Sequence, residues 1–320
     1  MSDIVVSMLL VVRNSEESIS AVLHSLLQQG YENSKFEIIV IDGESEDLTL
    51  SIANKVLSQA KVNYLILNNK AHSLSSGWNI GIRHAKGEYV VRPDAHSELL
   101  NNYVKNGIDR LKKDSFLAGV GGVLRTKSKG IFGGVVAKVL SNPIGVGKSL
   151  FRIGVSKDTY SDTAVFAVYR RSIFDKCGYF NESLGRNQDI DFHKRVLTHG
   201  YKLLTSPSMI ANYYSRDTFK GFIAQGFQNG FWAIASGEYF LRHLAPLAFV
   251  FLLFFSAIVS LKLTIFILAG YFLITTFFFI KRNKFSIVDI LLFDIFILSL
   301  HIAYGIGSIS AIFNKMIKSK

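Results

Sequence analysis

The chain has 320 residues, 49% of them hydrophobic, a formal net charge of +12 and a single cysteine, Cys177. The length exceeds an ordinary single domain and predicts one domain with an appended segment, while a lone cysteine excludes an intramolecular disulfide and a thiolate-rich zinc site and fits a reducing compartment. The basic excess predicts attraction to anionic headgroups and phosphorylated ligands, but the cations are scattered, with no basic stripe interleaved with aromatics, which argues against nucleic acid.

Residues 4–12 form an apolar run broken only by Ser7, the pattern of a strand buried on both faces. The run starts close behind Met-Ser-Asp, without the basic n-region of a secretion signal, so the first domain is expected in the cytosol. Residues 15–29 carry Ile19, Val22, Leu23, Leu26 and Leu27 at helical spacing behind a polar first turn. Strands expected at 36–41, 62–67 and 88–91 alternate with helices at 45–57 and 75–85. This alternation predicts an α/β domain with a mainly parallel sheet, whose ligands sit beyond the carboxyl ends of the strands. Polar residues cluster at those ends: Arg13 and Asn14, Asp42 to Asp47, and Arg92 to His96.

Residues 124–162 are rich in Gly, Ser and Lys without a sustained period, and are expected to be loops over the site. A strand at 163–169 and helices at 171–177 and 189–198 follow, the last ended by Gly200. The boundary of the first domain is set at residue 240, and 241–320 reads as a membrane segment with two or three transmembrane helices. Residues 246–261 and 263–280 can each cross an apolar layer of roughly 30 Å and form a tight hairpin around Lys262. Arg242 and His243 before it, and Lys281, Arg282 and Lys284 after it, predict cytosolic flanks. Residues 287–313 contain Asp289, Asp294 and His301; they fit a third span with polar groups facing a protein or water-filled interior, in reach of a polyprenyl-phosphate acceptor, or equally the polar side of an interfacial helix.

Three polar constellations carry chemistry. Asp42 ends a strand, where its carboxylate can accept from a nucleobase or sugar hydroxyl; alternatively Ser45 caps a helix whose positive end Glu46 and Asp47 favour. Asp94 and His96, two residues apart after a strand, can direct two ligands at one divalent cation, or belong to a turn started by Pro93. Asp189 opens a helix; a carboxylate there can take the proton of an acceptor hydroxyl, or only interact with the helix dipole.

In this order and at these spacings, matches spread over residues 5–202 resemble the inverting, family-two glycosyltransferases of the GT-A type. Val11-Val12-Arg13-Asn14 is similar to the end of that family's first strand, and Asp42-Gly43-Glu44-Ser45-Glu46-Asp47 to its nucleotide-binding Asp-x-x-Ser-x-Asp. Ser76-Gly77-Trp78-Asn79 resembles the stretch leading to the metal motif. Asp94-Ala95-His96 resembles that motif with His96 in place of the usual second Asp, as in the branch that includes succinoglycan-type glucosyltransferases. The resemblance implies a nucleotide-sugar donor, by its family a UDP-sugar, held by Arg13, Asn14, Asp42, Ser45, Asp47 and Asn79. It also implies Mg2+ or Mn2+ on Asp94 and His96, and Asp189 as catalytic base. The expected acceptor is a lipid-linked saccharide in polysaccharide or glycan biosynthesis, with the enzyme multi-pass in the cell membrane and its catalytic domain cytoplasmic. Gln188, Asp191, Gln225 and Trp232 are candidate acceptor contacts. Gln188 stands where the family usually has Glu, the Gln225 to Trp232 segment only loosely matches Gln-x-x-Arg-Trp, and Trp232 equally fits a membrane-interface aromatic. A non-catalytic membrane scaffold retaining a nucleotide-binding fold is the competing reading.

Overall fold

The structure, a computed structural model, describes residues 4–128, 130–215, 218–237, 241–284 and 286–318. Strands β1 (Val6–Val12) and β2 (Phe36–Asp42) are buried at every position, as their continuous aliphatic runs require. With β3 (Asn63–Asn68) and β4 (Tyr89–Val91) they pair in parallel in the order β3-β2-β1-β4. The intervening helices are α1 (Ile19–Leu27), α2 (Thr49–Ala60) and α3 (Leu74–His84). Helix α2 begins later than the expected residue 45, because Asp47 rather than Ser45 accepts from its first turn, at 3.0 Å from the Thr49 N–H.

Ser7, the polar break in β1, is a structural partner. Its hydroxyl donates to buried Glu37 at 2.6 Å, and the Lys86 N–H donates to the same carboxylate oxygen at 2.7 Å. The buried carboxylate is thereby satisfied and ties the approach to β4 onto the two central strands.

The chain continues through β5 (Ser97–Leu99), α4 (Tyr103–Lys113), β6 (Leu117–Lys127), α5 (Gly130–Leu140), α6 (Pro143–Val146) and α7 (Leu150–Ile153). Then come β7 (Thr159–Ser161), β8 (Val168–Arg170), α8 (Ser172–Cys177), α9 (Gln188–Thr198) and β9 (Lys202–Tyr214). Beyond β4 the sheet runs β8-β6-β9-β5, with antiparallel pairs β4/β8, β6/β8 and β5/β9, and β7 on β9. This is the GT-A-like α/β arrangement, followed by C-terminal helices. The strand expected at 163–169 shortens to Val168–Arg170.

Two compact units divide the chain: residues 1–125 with 154–214, and residues 126–153 with 215–320. Residues expected as loops over the site, 124–162, therefore include three helices, and most of the segment belongs to the second unit. Val135, Val136, Val139 and Leu140 of α5 bury against Phe279, Ile290, Phe293 and Ile297, partners far along the chain that no local period announces.

The second unit also holds α10 (Phe219–Ala235), α11 (Ala245–Val259), α12 (Leu261–Ile280) and α13 (Ile287–Lys318). Close approach of α10 and α13 depends on glycine: a Cβ on Gly230 would strike the Tyr304 backbone, and one on Gly307 the Phe227 carbonyl. Helices α11 and α12 part at extended Ser260, the tight hairpin expected around Lys262. Three stretches, Leu241–Val259, Leu261–Ile280 and Ile287–Ile317, are long and apolar enough to cross a membrane. The polar groups of α13 have protein partners. Asp294 accepts from Thr275 at 2.6 Å and Thr276 at 2.8 Å, Asp289 pairs with Lys138 at 2.7 Å, and His301 bonds with the Tyr271 hydroxyl at 2.9 Å.

Candidate active site

Parallel pairing brings the polar strand ends together. Val12 pairs with Asp42 on one flank of β1, and Val11 bridges to Asp94 on the other. Asp42 is 5% exposed, and its two carboxylate oxygens accept from the Ser45 N–H at 3.0 Å and the Ser45 hydroxyl at 2.6 Å. Asn14, with φ of 46°, donates its N–H to Ser45 Oγ at 2.9 Å and accepts from the Glu46 N–H at 2.9 Å. The loops after β1 and β2 thus form one hydrogen-bonded rim, with Arg13 and Asn14 exposed on it.

Asp47 closes the rim. Its carboxylate accepts from the Glu16 N–H at 3.1 Å, and from the Thr49 N–H and hydroxyl at 3.0 and 2.5 Å. Desolvation pushes this carboxyl up, but the bonds from Thr49 and Glu16 outweigh it and hold the group below the usual aspartate range. Opposite, His72 contacts the Gly43 carbonyl through Nδ1 at 2.9 Å and Glu44 through Nε2 at 3.1 Å. Sequence reasoning missed His72, which has no local motif; it reaches the rim only because Asn68 pairs with Asp42 at the end of β3.

The loop after β4 is locked through its backbone. The Asp94 N–H donates to Ser97 Oγ at 3.0 Å, and the Ser97 hydroxyl donates to the Asp94 carbonyl at 2.7 Å. This leaves the half-buried Asp94 carboxylate without a hydrogen-bond partner among the described residues, and the His96 side chain is exposed. No group of three or more His, Cys, Asp or Glu that could hold a metal occurs among the described residues. A carboxylate and an imidazole are of a kind that would hold a divalent cation together with ligands from outside the protein.

Asn79 is 2% exposed and its amide is committed: it donates to the Phe180 carbonyl at 2.9 Å and Glu182 at 2.7 Å, and accepts from the Phe180 N–H at 3.0 Å. It therefore pins the 180–182 loop to α3. Helix α9 starts after Asn187, whose φ is 65°. Buried Gln188 donates to the Leu184 carbonyl at 2.9 Å, whereas half-buried Asp189 accepts from the adjacent Ile190 N–H at 3.0 Å. Asp191 is held by Arg195, which also donates to the Tyr179 carbonyl at 2.7 Å. One turn beyond Asp189, His193 is fully buried with Nε2 at 2.7 Å from the Tyr169 hydroxyl. Burial pushes this imidazole down to about 4, against the pull of Asp189 and Asp162, so it is neutral at pH 7. The only signal for His193 in the sequence is its i+4 spacing from Asp189. Gln225 and Trp232 lie on α10 in the second unit.

Residues 7–178 match the profile of glycosyl transferase family 2. The chain is 28% identical over 273 residues to a Methanococcus voltae protein, covering 82% of this chain and 84% of the relative. That relative is named dolichyl N-acetyl-alpha-D-glucosaminyl phosphate 3-beta-D-2,3-diacetamido-2,3-dideoxy-beta-D-glucuronosyltransferase. This chain is 25% identical over 184 residues to the succinoglycan biosynthesis protein ExoA of Rhizobium meliloti, covering 56% of this chain and 54% of that relative's length. Among solved structures, the mannosyltransferase PcManGT from Pyrobaculum calidifontis, in complex with GDP-Man and Mn2+, shares the fold with a TM-score of 0.64 at 18% identity, over 95% of this chain and 86% of that one. The family profile covers more than half of the residues and the strand-end rim lies within it, so the chain is a glycosyltransferase belonging to glycosyl transferase family 2.

Proposed function

We propose that the chain transfers a sugar, with inversion, from a UDP-sugar to a lipid-linked acceptor at the cytosolic face of a membrane. The observation that carries this reading is the pairing of Asp42 and Asp94 with adjacent residues of β1, which brings two carboxylates to one strand end and supports a nucleotide role for Asp42 and a diphosphate role for Asp94. Asp42, Ser45, Asp47, Arg13 and Asn14 form the nucleotide rim. Asn79 acts through the loop it pins. Asp94 and His96 would hold a divalent cation, which offsets charge on the departing diphosphate; the Mn2+ in the mannosyltransferase complex supports a cation of this kind.

Asp189 takes the proton of the acceptor hydroxyl as that oxygen bonds to the anomeric carbon and the bond from that carbon to the diphosphate oxygen breaks. A single displacement inverts the configuration. The pairing of Asp191 with Arg195 supports a structural role for this carboxylate rather than an acceptor contact. The dolichyl-linked acceptor in the Methanococcus relative's name supports a lipid-linked acceptor, and the three apolar helices support membrane attachment. The test is release of UDP from a panel of UDP-sugars, with and without divalent cation, in membranes containing the chain and lipid-linked acceptor. Release that requires chain, acceptor and cation is expected; release from none of the donors refutes the reading.

A further inference from the structure

Arg92 follows β4 directly, two residues before Asp94, and is 6% exposed. Its guanidinium carbon lies 4.2 Å from the ring centroid of Trp78 and 4.9 Å from that of Phe180, so two aromatic side chains fix its orientation. The two rings are 5.0 Å apart, and Asn79 bonds to the Phe180 backbone on both sides, which keeps this aromatic seat rigid.

Stacking satisfies none of the guanidinium's N–H donors. Nε is buried without an acceptor, and no carboxylate among the described residues forms an ion pair with Arg92. The Tyr169 hydroxyl hydrogen-bonds with the guanidinium and also engages His193 at 2.7 Å, so it gives Arg92 a neutral partner but no counter-ion. A buried cation without a counter-ion is costly, and a planar fork held by its faces presents its edge for bidentate bonding to paired anionic oxygens. Arg92 also shares its buried surroundings with Asp189 and Asp162, all three acting on His193.

We propose that Arg92 is the anion receptor of the donor site, its stacked guanidinium taking a pair of anionic oxygens on the nucleotide sugar, either of the diphosphate or of a carboxylate on the sugar ring. This rests on the donor reading above and extends it to a residue that the metal and base assignments leave unused. Lysine cannot replace it, because a point charge neither stacks between the rings nor offers two parallel donors.

The test is equilibrium binding of UDP, a neutral UDP-hexose and a UDP-hexuronate to the purified full chain in detergent with Mg2+, for wild type, Arg92→Gln and Arg92→Lys. Loss of a bidentate bond to a charged group is expected to weaken binding roughly 10- to 100-fold. Equal losses for all three ligands assign the diphosphate; a loss confined to the hexuronate assigns the sugar carboxylate; both outcomes support the proposal. Unchanged affinities for all three ligands in both variants overturn it and make Arg92 a packing residue. If Arg92→Gln proves unstable by its unfolding midpoint, Arg92→Lys alone decides, by the same two results. A wild-type chain that binds none of the three ligands contradicts the donor reading itself, which separates that failure from this one.

Discussion

Arg195 Nη2 donates to Asp191 Oδ2 at 2.8 Å across one turn of α9, and the same nitrogen reaches the Tyr179 carbonyl at 2.7 Å. The pair is partly shielded and anchors the 177–180 loop, so Asp191 serves the fold. Asp191→Asn is expected to cost about 1 kcal/mol of stability, read as a lower unfolding midpoint in detergent, and to leave transfer within a few fold of wild type. Loss of transfer at unchanged stability would return Asp191 to the acceptor site.

Asp94 and His96 differ in charge, and their variants should differ accordingly. Asp94→Asn is expected to weaken both cation dependence and donor binding, because one coordination site serves both. His96→Asp should retain cation-dependent turnover, since it restores a hard oxygen ligand. Titrating Mg2+ and Mn2+ in the transfer assay separates the two; an Asp94→Asn enzyme with a normal metal response would make the 93–97 segment a simple turn.

Acid should destabilise the fold through His193. Folding lowers this group from the ordinary 6.5 to about 4, so between those values the unfolded chain binds the extra proton. Its contribution is complete above pH 6.5 and is lost as pH falls towards 4, about 2 kcal/mol at pH 5. Unfolding midpoints of wild type and His193→Gln at pH 7.5 and 5 check this: the drop should be smaller in the variant, and equal drops would remove His193 from the account.

The topology has its own test. A cysteine placed at Lys284 in a Cys177→Ala background should resist a membrane-impermeant maleimide in intact cells and react after lysis. Labelling from outside would overturn the cytosolic assignment of the loop after α12.

The parallel half of the sheet was legible because its signals are local: aliphatic runs at β1 and β2, and Ile19, Val22, Leu23 and Leu26 at helical spacing in α1. The helices at 130–153 were not, because α5 is held by Phe279, Ile290 and Phe293, more than a hundred residues away. The same division runs through the site. The strand-end residues Asp42 and Asp94 stood out by position, whereas the seat of Arg92 requires Trp78 on α3 and Phe180 in a distant loop, and nothing in the Arg-Pro-Asp sequence foretells either ring.

In the proposed reaction one carboxylate, Asp189, removes the acceptor proton, and single-turnover transfer by Asp189→Asn tests that role. The variant should transfer roughly 10²–10⁴-fold more slowly than wild type, with UDP-sugar affinity nearly unchanged, because the nucleotide rim and the cation ligands are built from other residues. Transfer at the wild-type rate would contradict the account.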